Sequence, residues 1–269
     1  MSEPAWNIDR QRSQPPLFKV APLRLPGQSI DEQINALQDK IGEVFLAPLV
    51  FVAVSSYGWI QWWTGRPANP LVLSFVAIIT ILYAGTRISS LQSTIRNLQL
   101  GRDGERLVGQ MLEQLRAKGY RVFHDIPGPS FNIDHAIVGP AGIFTIETKS
   151  RTKPLGGSSK VLYDGNTLQI AGKEAVNQPL RQARAQARWL TALVNRDSTA
   201  KYCVRPVLVF PEWYVERIGC RSKDDVWVLN PKALGKFLDC EPHILSNSSI
   251  DSATQILALH CRQTVPEQA

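Results

Sequence analysis

The sequence predicts an α/β domain preceded by a two-helix apolar hairpin, and three observations carry that reading. Two charge-free apolar runs stand close together in the first third of the chain. From residue 101 onwards, short β-rich runs bounded by Gly, Pro and Asn alternate with helical periodicities. The composition suits a folded protein: 269 residues, 44% hydrophobic and 20% charged, with 18 Gly and 18 Pro. Collagen, a coiled-coil rod and wholesale disorder are thereby excluded. Lys+Arg 30 against Asp+Glu 23 gives a net charge of +7. That excess allows a polyanionic partner, but anionic lipid and plain solubility account for it equally well. Cys203, Cys220, Cys240 and Cys261 lie far apart with no Cys-x-x-Cys pair. This argues against a zinc ribbon or a disulfide framework and for a reducing compartment.

In chain order, residues 1–28 read as an irregular arm, with Pro15-Pro16, Pro22 and Pro26-Gly27. Ile30, Ile34, Leu37 and Ile41 recur at helical spacing and predict a short amphipathic helix over 29–43. Residues 44–63 and 70–86 follow as two spans of a transmembrane hairpin at 44–86, since a bilayer core takes roughly 20 apolar helical residues. Trp59, Trp62, Trp63 and Tyr83 lie near the span ends, where amphipathic rings favour the headgroup region. Both runs are apolar on every face, which favours lipid over a hairpin buried in a soluble core. Some forty mostly polar residues precede them, which argues against a cleaved signal peptide. Arg10, Arg12, Lys19, Arg24 and Lys40 precede the hairpin and Arg87, Arg96 and Arg102 follow it, with Arg66 alone in the loop. The positive-inside rule then predicts a two-span protein of the cell (inner) membrane with both termini cytoplasmic. Over 87–100 a helical connector carries Leu91, Ile95 and Leu98. This stripe and that of 29–43 could extend the spans and pack on each other as a short stalk within one chain, and they suit a homo-oligomer equally well.

Residues 101–240 predict one mixed sheet flanked by helices. A helix over 104–118 is stopped by Gly119. Strands are expected at 120–124, 132–138 and 143–148, and a hairpin at 160–163 and 168–171. A long helix over 178–194 leads to strands at 204–210 and 226–229 and a helix at 231–238. Residues 241–269 read as a C-terminal helix, at 252–261, and tail.

The hairpin around Gly139-Pro140-Ala141-Gly142 carries the chemistry. If those four residues form the loop, Val138 faces Ile143, and stepping outwards Asp134 faces Glu147. Alternation then puts Asp134, Glu147 and Lys149 on one face. Opposed carboxylates about 5 Å apart at Cβ repel one another unless a positive charge lies between them. Mg²⁺, which accepts one or two carboxylates together with waters and phosphate oxygens, is the natural candidate. A solvated strand pair is the plain alternative.

The run from Asn132 through Asp134 and Glu147 to Lys149 resembles the NERD, or nuclease-related domain, family, itself similar to the PD-(D/E)xK nucleases. Gly101, Gly104 and Glu105 resemble that family's helix opening. Asn177, Pro179 and Gln182 resemble its Asn-Pro-x-x-Gln helix, here with Gln178 inserted. The resemblance covers roughly 101–229. It implies a restriction-endonuclease-like fold and a Mg²⁺-dependent phosphodiesterase, with Mn²⁺ as a substitute. Asp134 and Glu147, with the Thr148 carbonyl, would hold the ion. Lys149 would orient or deprotonate the attacking water, Glu105 would serve as an outer ligand, and Gln182 would hydrogen-bond near the site.

Arg181, Arg184 and Arg188 form one stripe of the long helix, with Arg151 and Lys173 expected on the same side. They are candidate contacts to nucleic acid, with DNA the expected form. A solvated helix face is the alternative. His135 alternates away from Asp134 into the core, and His124, His243 and His260 lack ligand spacing. Trp189, Trp213 and Trp227 read as core. Beside a membrane-anchored nuclease stands a second reading, a tethered nucleic-acid-binding or scaffold module with little or no cleavage. Neither span holds a charge that would mark an ion path.

Overall fold

A computed structural model describes residues 23–66, 69–154, 156, 159–173, 175–196, 201–218 and 226–264. The expected arm up to residue 22, with Arg10, Arg12 and Lys19, lies outside the described residues, as does Cys220.

Two long helices open the structure, α1 (Gln28–Trp63) and α2 (Pro70–Glu113). They run antiparallel: Ser55 Oγ meets Ser74 Oγ at 2.8 Å, Gly58 packs on Pro70, and Asp31 pairs with Arg102. Ile34 and Ile95 are buried at the seam, so the two stripes do pack as a stalk within one chain. The helical patterns at 29–43 and 87–100 extend the spans, as expected, and only the separate helix expected at 104–118 is corrected: most of it continues α2. No Pro interrupts residues 71–113, and an interior Gly costs only about 1 kcal/mol. Gly101–Glu105 therefore lies in mid-helix and opens nothing. A 3₁₀ turn at Gln114–Lys118 and Gly119, at φ 85°, end the run.

Both helices are long and apolar enough to cross a membrane. Phe45, Leu49, Ile60, Phe75, Ile78 and Leu82 are each more than half exposed. The hairpin is thus not the buried core of a soluble domain.

The remaining elements are β1 (Arg121–Pro127), β2 (Asn132–Gly139), β3 (Gly142–Thr148), β4 (Lys160–Tyr163), β5 (Leu168–Ile170), α3 (Gln178–Asn195) and β6 (Val204–Val209). After them come β7 (Tyr214–Arg217), β8 (Trp227–Leu229), α4 (Pro231–Asp239) and α5 (Asn247–Gln263). A five-stranded sheet has the order β1-β2-β3-β6-β8, antiparallel across β1, β2 and β3 and parallel beyond. The fold is the mixed α/β arrangement expected, with helices on both faces. Ala136, Val138 and Ile143 pack towards α3 and α5, whereas Ile137, Phe144 and Ile146 pack towards α2 and α4.

Three expectations need correction. The sheet is not single: β4 and β5 join β7, which the sequence did not announce, in a separate three-stranded sheet β5-β4-β7. Its core is Val161, Tyr163, Leu168, Leu180 and Trp213. The first strand extends to Pro127 rather than stopping at residue 124. Helix α5 begins at Asn247, because the Ser246 side chain accepts from Ser249 N and caps it early.

Candidate active site

The β2–β3 hairpin turns through Pro140-Ala141, with Val138 paired to Ile143 and His135 to Ile146. One step further along that register, Asp134 stands opposite Glu147. Thr148 N donates to Asp134 Oδ2 at 2.7 Å, closing the open end of the hairpin. Glu147 is almost wholly buried, and both its oxygens are engaged. Lys149 Nζ donates to Oε1 at 2.5 Å and Gln186 Nε2 to Oε2 at 2.5 Å. Lys149 Nζ also donates to Gln182 Oε1 at 3.1 Å. Helix α3 thus lays one turn, Gln182 and Gln186, across the strand that carries the acid and the lysine.

Glu105 enters from the other side. Gly104 makes this possible, because a Cβ there would stand 1.7 Å from Ser150 Oγ and 3.0 Å from Ser150 Cβ. Only glycine lets α2 come this close to the end of β3. The Glu105 carboxyl has no hydrogen-bond partner among the described residues. Burial, then the charges of Asp125 and Glu147, push its pKa up to about 8. Asp134 is likewise held well above the ordinary carboxylate range, by burial first and then by the charges of Glu147 and Glu105. The Thr148 N–H and Lys149 oppose that rise less strongly.

More carboxylates converge here than one lysine neutralises. A divalent cation is the chemical species that relieves such crowding, and an all-oxygen donor set suits Mg²⁺ or Mn²⁺ over softer metals. Among the described residues no group of three or more His, Cys, Asp or Glu is placed to hold a metal ion by itself.

The structure divides the expected basic set. Arg181 and Arg188 are exposed on α3, while Arg184 turns to the β4–β5 tip and donates to Gly165 O at 3.4 Å. Arg151 and Lys173 are not on that stripe. With Asn97, Ser150, Lys153 and Trp213 they line a cleft of about 650 Å³ next to Lys149, at the opposite end of the β4–β5 hairpin. The cleft has no acidic residue among its described lining. The separation arises because β4 and β5 form their own sheet, which carries Lys173 away from α3.

His135 is fully buried, with Nδ1 2.8 Å from His124 Nδ1, and His124 Nε2 reaches Glu113 Oε1 at 3.0 Å. Burial lowers the pKa of both imidazoles. Trp213 and Trp227 are core residues and Trp189 packs against the core.

Sequence reasoning missed Gln186, which holds Glu147 as closely as Lys149 does. Its signal was available: a polar residue one turn after Gln182, set among Ala183, Ala187 and Leu190 on the buried stripe of α3. It also missed Asp125, a 2%-exposed carboxylate discussed below.

The sheet and the residues at its end form one mixed α/β domain. Residues 100–211 match the NERD family, the nuclease-related domain. An uncharacterized protein of Bacillus anthracis is 26% identical over 129 residues, which cover 46% of this chain and 59% of that protein. The chain therefore spans less than two thirds of that relative's length. No solved structure matches the chain significantly.

Proposed function

We propose that the protein is a membrane-anchored, Mg²⁺-dependent nuclease of the PD-(D/E)xK type, with its catalytic domain in the cytoplasm. The observation that carries the reading is the cluster Asp134, Glu147 and Lys149, held from α3 by Gln182 and Gln186. Asp134 and Glu147, with the Thr148 carbonyl, would hold the ion, and Glu105 would serve as an outer ligand. A bound divalent cation supplies Lewis-acid activation of water and screens charge on the phosphate. Lys149 orients the attacking water and, as an ammonium donating from Nζ, stabilises charge on the phosphate, while the Gln182 Oε1 acceptor fixes where that ammonium points. Gln186 keeps the Glu147 carboxylate in one orientation. Arg151, Lys153 and Lys173 draw the backbone of the nucleic acid, with DNA the expected form, towards Lys149. The exposed Arg181 and Arg188 add contacts on α3.

The anchoring half of the proposal is supported by length. Helix α1 is about 54 Å long and α2 about 66 Å at 1.5 Å per residue, against about 30 Å for a hydrocarbon core. The surplus lies at the ends that meet the domain.

The test uses full-length protein in detergent with single- and double-stranded DNA and RNA, in Mg²⁺, Mn²⁺ or chelator. Metal-dependent cutting should fall roughly 100-fold or more in Lys149→Ala, and vanish in Glu147→Ala. Absence of cutting by the wild type, with binding that weakens steeply in salt, replaces the nuclease by the tethered binding module.

A further inference from the structure

The segment that enters α1 is tied to the candidate site by an unbroken series of hydrogen bonds through a buried carboxylate. Asp125 lies on the edge strand β1, where a left-handed backbone at φ 48° interrupts the ladder to β2. Its side chain is 2% exposed and accepts four bonds. Arg24 Nε donates to Oδ2 at 2.8 Å, and so does Ser29 N, at 2.8 Å. Ser29 Oγ donates to Oδ1 at 2.8 Å and Asn132 Nδ2 to Oδ1 at 2.9 Å. The Asn132 carbonyl in turn accepts from Gln186 Nε2 at 3.2 Å, and the same Nε2 serves Glu147. Gln186 is 1% exposed, so it has no water to turn to.

The surroundings hold the entry segment in place. Pro26 lies against Gly109, where a Cβ would meet it at 2.7 Å, and Gly27, at φ 70°, crosses α2 beside Arg102. Asp31, one turn into α1, accepts from Arg102 and Arg106. The chain ahead of the first span is therefore seated on the nuclease-related domain, and it reaches Glu147 through only three residues.

We infer that Asp125 is a positioning residue of the candidate site: clamped by Arg24 and Ser29, it fixes Asn132, and through Asn132 and Gln186 it sets the orientation of the Glu147 carboxylate. The inference rests on the proposed function, since Glu147 is read as a ligand. Placement of the membrane hairpin and geometry of the site are then one structural unit. A fragment beginning at residue 97 would lack Arg24 and Ser29, which give three of the four hydrogen bonds to Asp125.

Mn²⁺ binding by full-length protein in detergent, followed by electron paramagnetic resonance, provides a readout besides cleavage. Asp125→Asn, which puts an amide where the second oxygen accepts from Arg24 or Ser29, should weaken Mn²⁺ roughly 10- to 100-fold, the usual effect of losing a support behind a metal ligand. Arg24→Gln and Ser29→Ala should weaken it in the same direction, and Arg24→Lys should recover part of the loss. These milder variants carry the test if Asp125→Asn does not fold. Folded Arg24→Gln and Ser29→Ala proteins with wild-type Mn²⁺ affinity and cleavage would overturn the inference and leave the nuclease reading standing. A wild type that neither binds Mn²⁺ nor cleaves overturns both.

Discussion

At the scale of single residues, the candidate site is a problem of excess negative charge, and Glu105 is its clearest expression. An acid whose folded pKa stands near 8 keeps its proton while the unfolded chain, with an ordinary carboxyl, has already lost one. The folded state then binds more protons than the unfolded state, so stability falls as pH rises from the ordinary value through the raised one. Asp134 acts in the same direction. His124 and His135 act oppositely, because imidazoles with lowered pKa cost stability as pH falls below about 6.5. The window between about 6.5 and 8 therefore isolates the carboxyls. In chelator, the melting temperature should decline across it, Glu105→Gln should flatten the decline, and Mg²⁺ or Mn²⁺ should reverse it. An identical slope in Glu105→Gln would show that this proton is not where the structure puts it. Asp134, Glu147 and Lys149 were legible in the sequence because a two-residue turn and strict alternation fix a hairpin's faces. Gln186 showed only as a polar residue on the buried stripe of α3, and Asp125 not at all, since it is held by Arg24 and Ser29 and no local pattern announces a contact across 101 residues.

At the scale of elements, the site depends on how closely α2 approaches the end of β3. At that point the approach is limited by Gly104 against Ser150. Gly104→Ala should push the helix off the strand and cost about 1–3 kcal/mol, the usual penalty for forcing extra volume into a packed site. Thermal melting would register the loss. Adding Ser150→Gly removes both atoms the new Cβ would strike and should restore most of the stability, whereas Ser150→Ala leaves the 3.0 Å contact with Ser150 Cβ and should restore less. Equal melting of Gly104→Ala and wild type would mean that α2 is free to move. The helix itself illustrates what sequence patterning misses. Its Gly101–Glu105 segment resembles a helix opening, and that resemblance reads as a boundary. The backbone has no reason to break there, without Pro and with isolated glycines only. Strand β7 was hidden for a different reason: four residues, Tyr214–Arg217, two of them charged, gain strand structure only from parallel pairing with β4.

At the scale of the whole molecule, the hairpin and the nuclease-related domain share α2, so in the proposed anchored protein orientation in the membrane and orientation of the site would be the same quantity. The surplus of helix beyond a bilayer core, roughly 25 Å for α1, is packed as a stalk about Ile34 and Ile95 and locked by Asp31 with Arg102 and Arg106. In the proposed anchored nuclease such a stalk would hold the basic cleft clear of the headgroups, where a long polyanion has room to reach Lys149 without meeting anionic lipid. In the proposed anchored protein, the basic residues on both flanks of the hairpin, against Arg66 alone between the spans, predict a domain on the cytoplasmic side. The cysteines supply a test that needs no change to the domain. Cys203 and Cys240 are exposed thiols, and no cysteine precedes residue 203. In intact cells an impermeant maleimide should leave the wild-type protein unlabelled, label Thr64→Cys at the tip of the hairpin, and reach Cys203 and Cys240 only after permeabilisation. Labelling of the wild type in intact cells would place the domain outside. Release of the full chain by alkaline washing, with retention no better than in a chain lacking 44–86, would remove the anchor altogether and make the exposed apolar faces of α1 and α2 a surface for another protein partner.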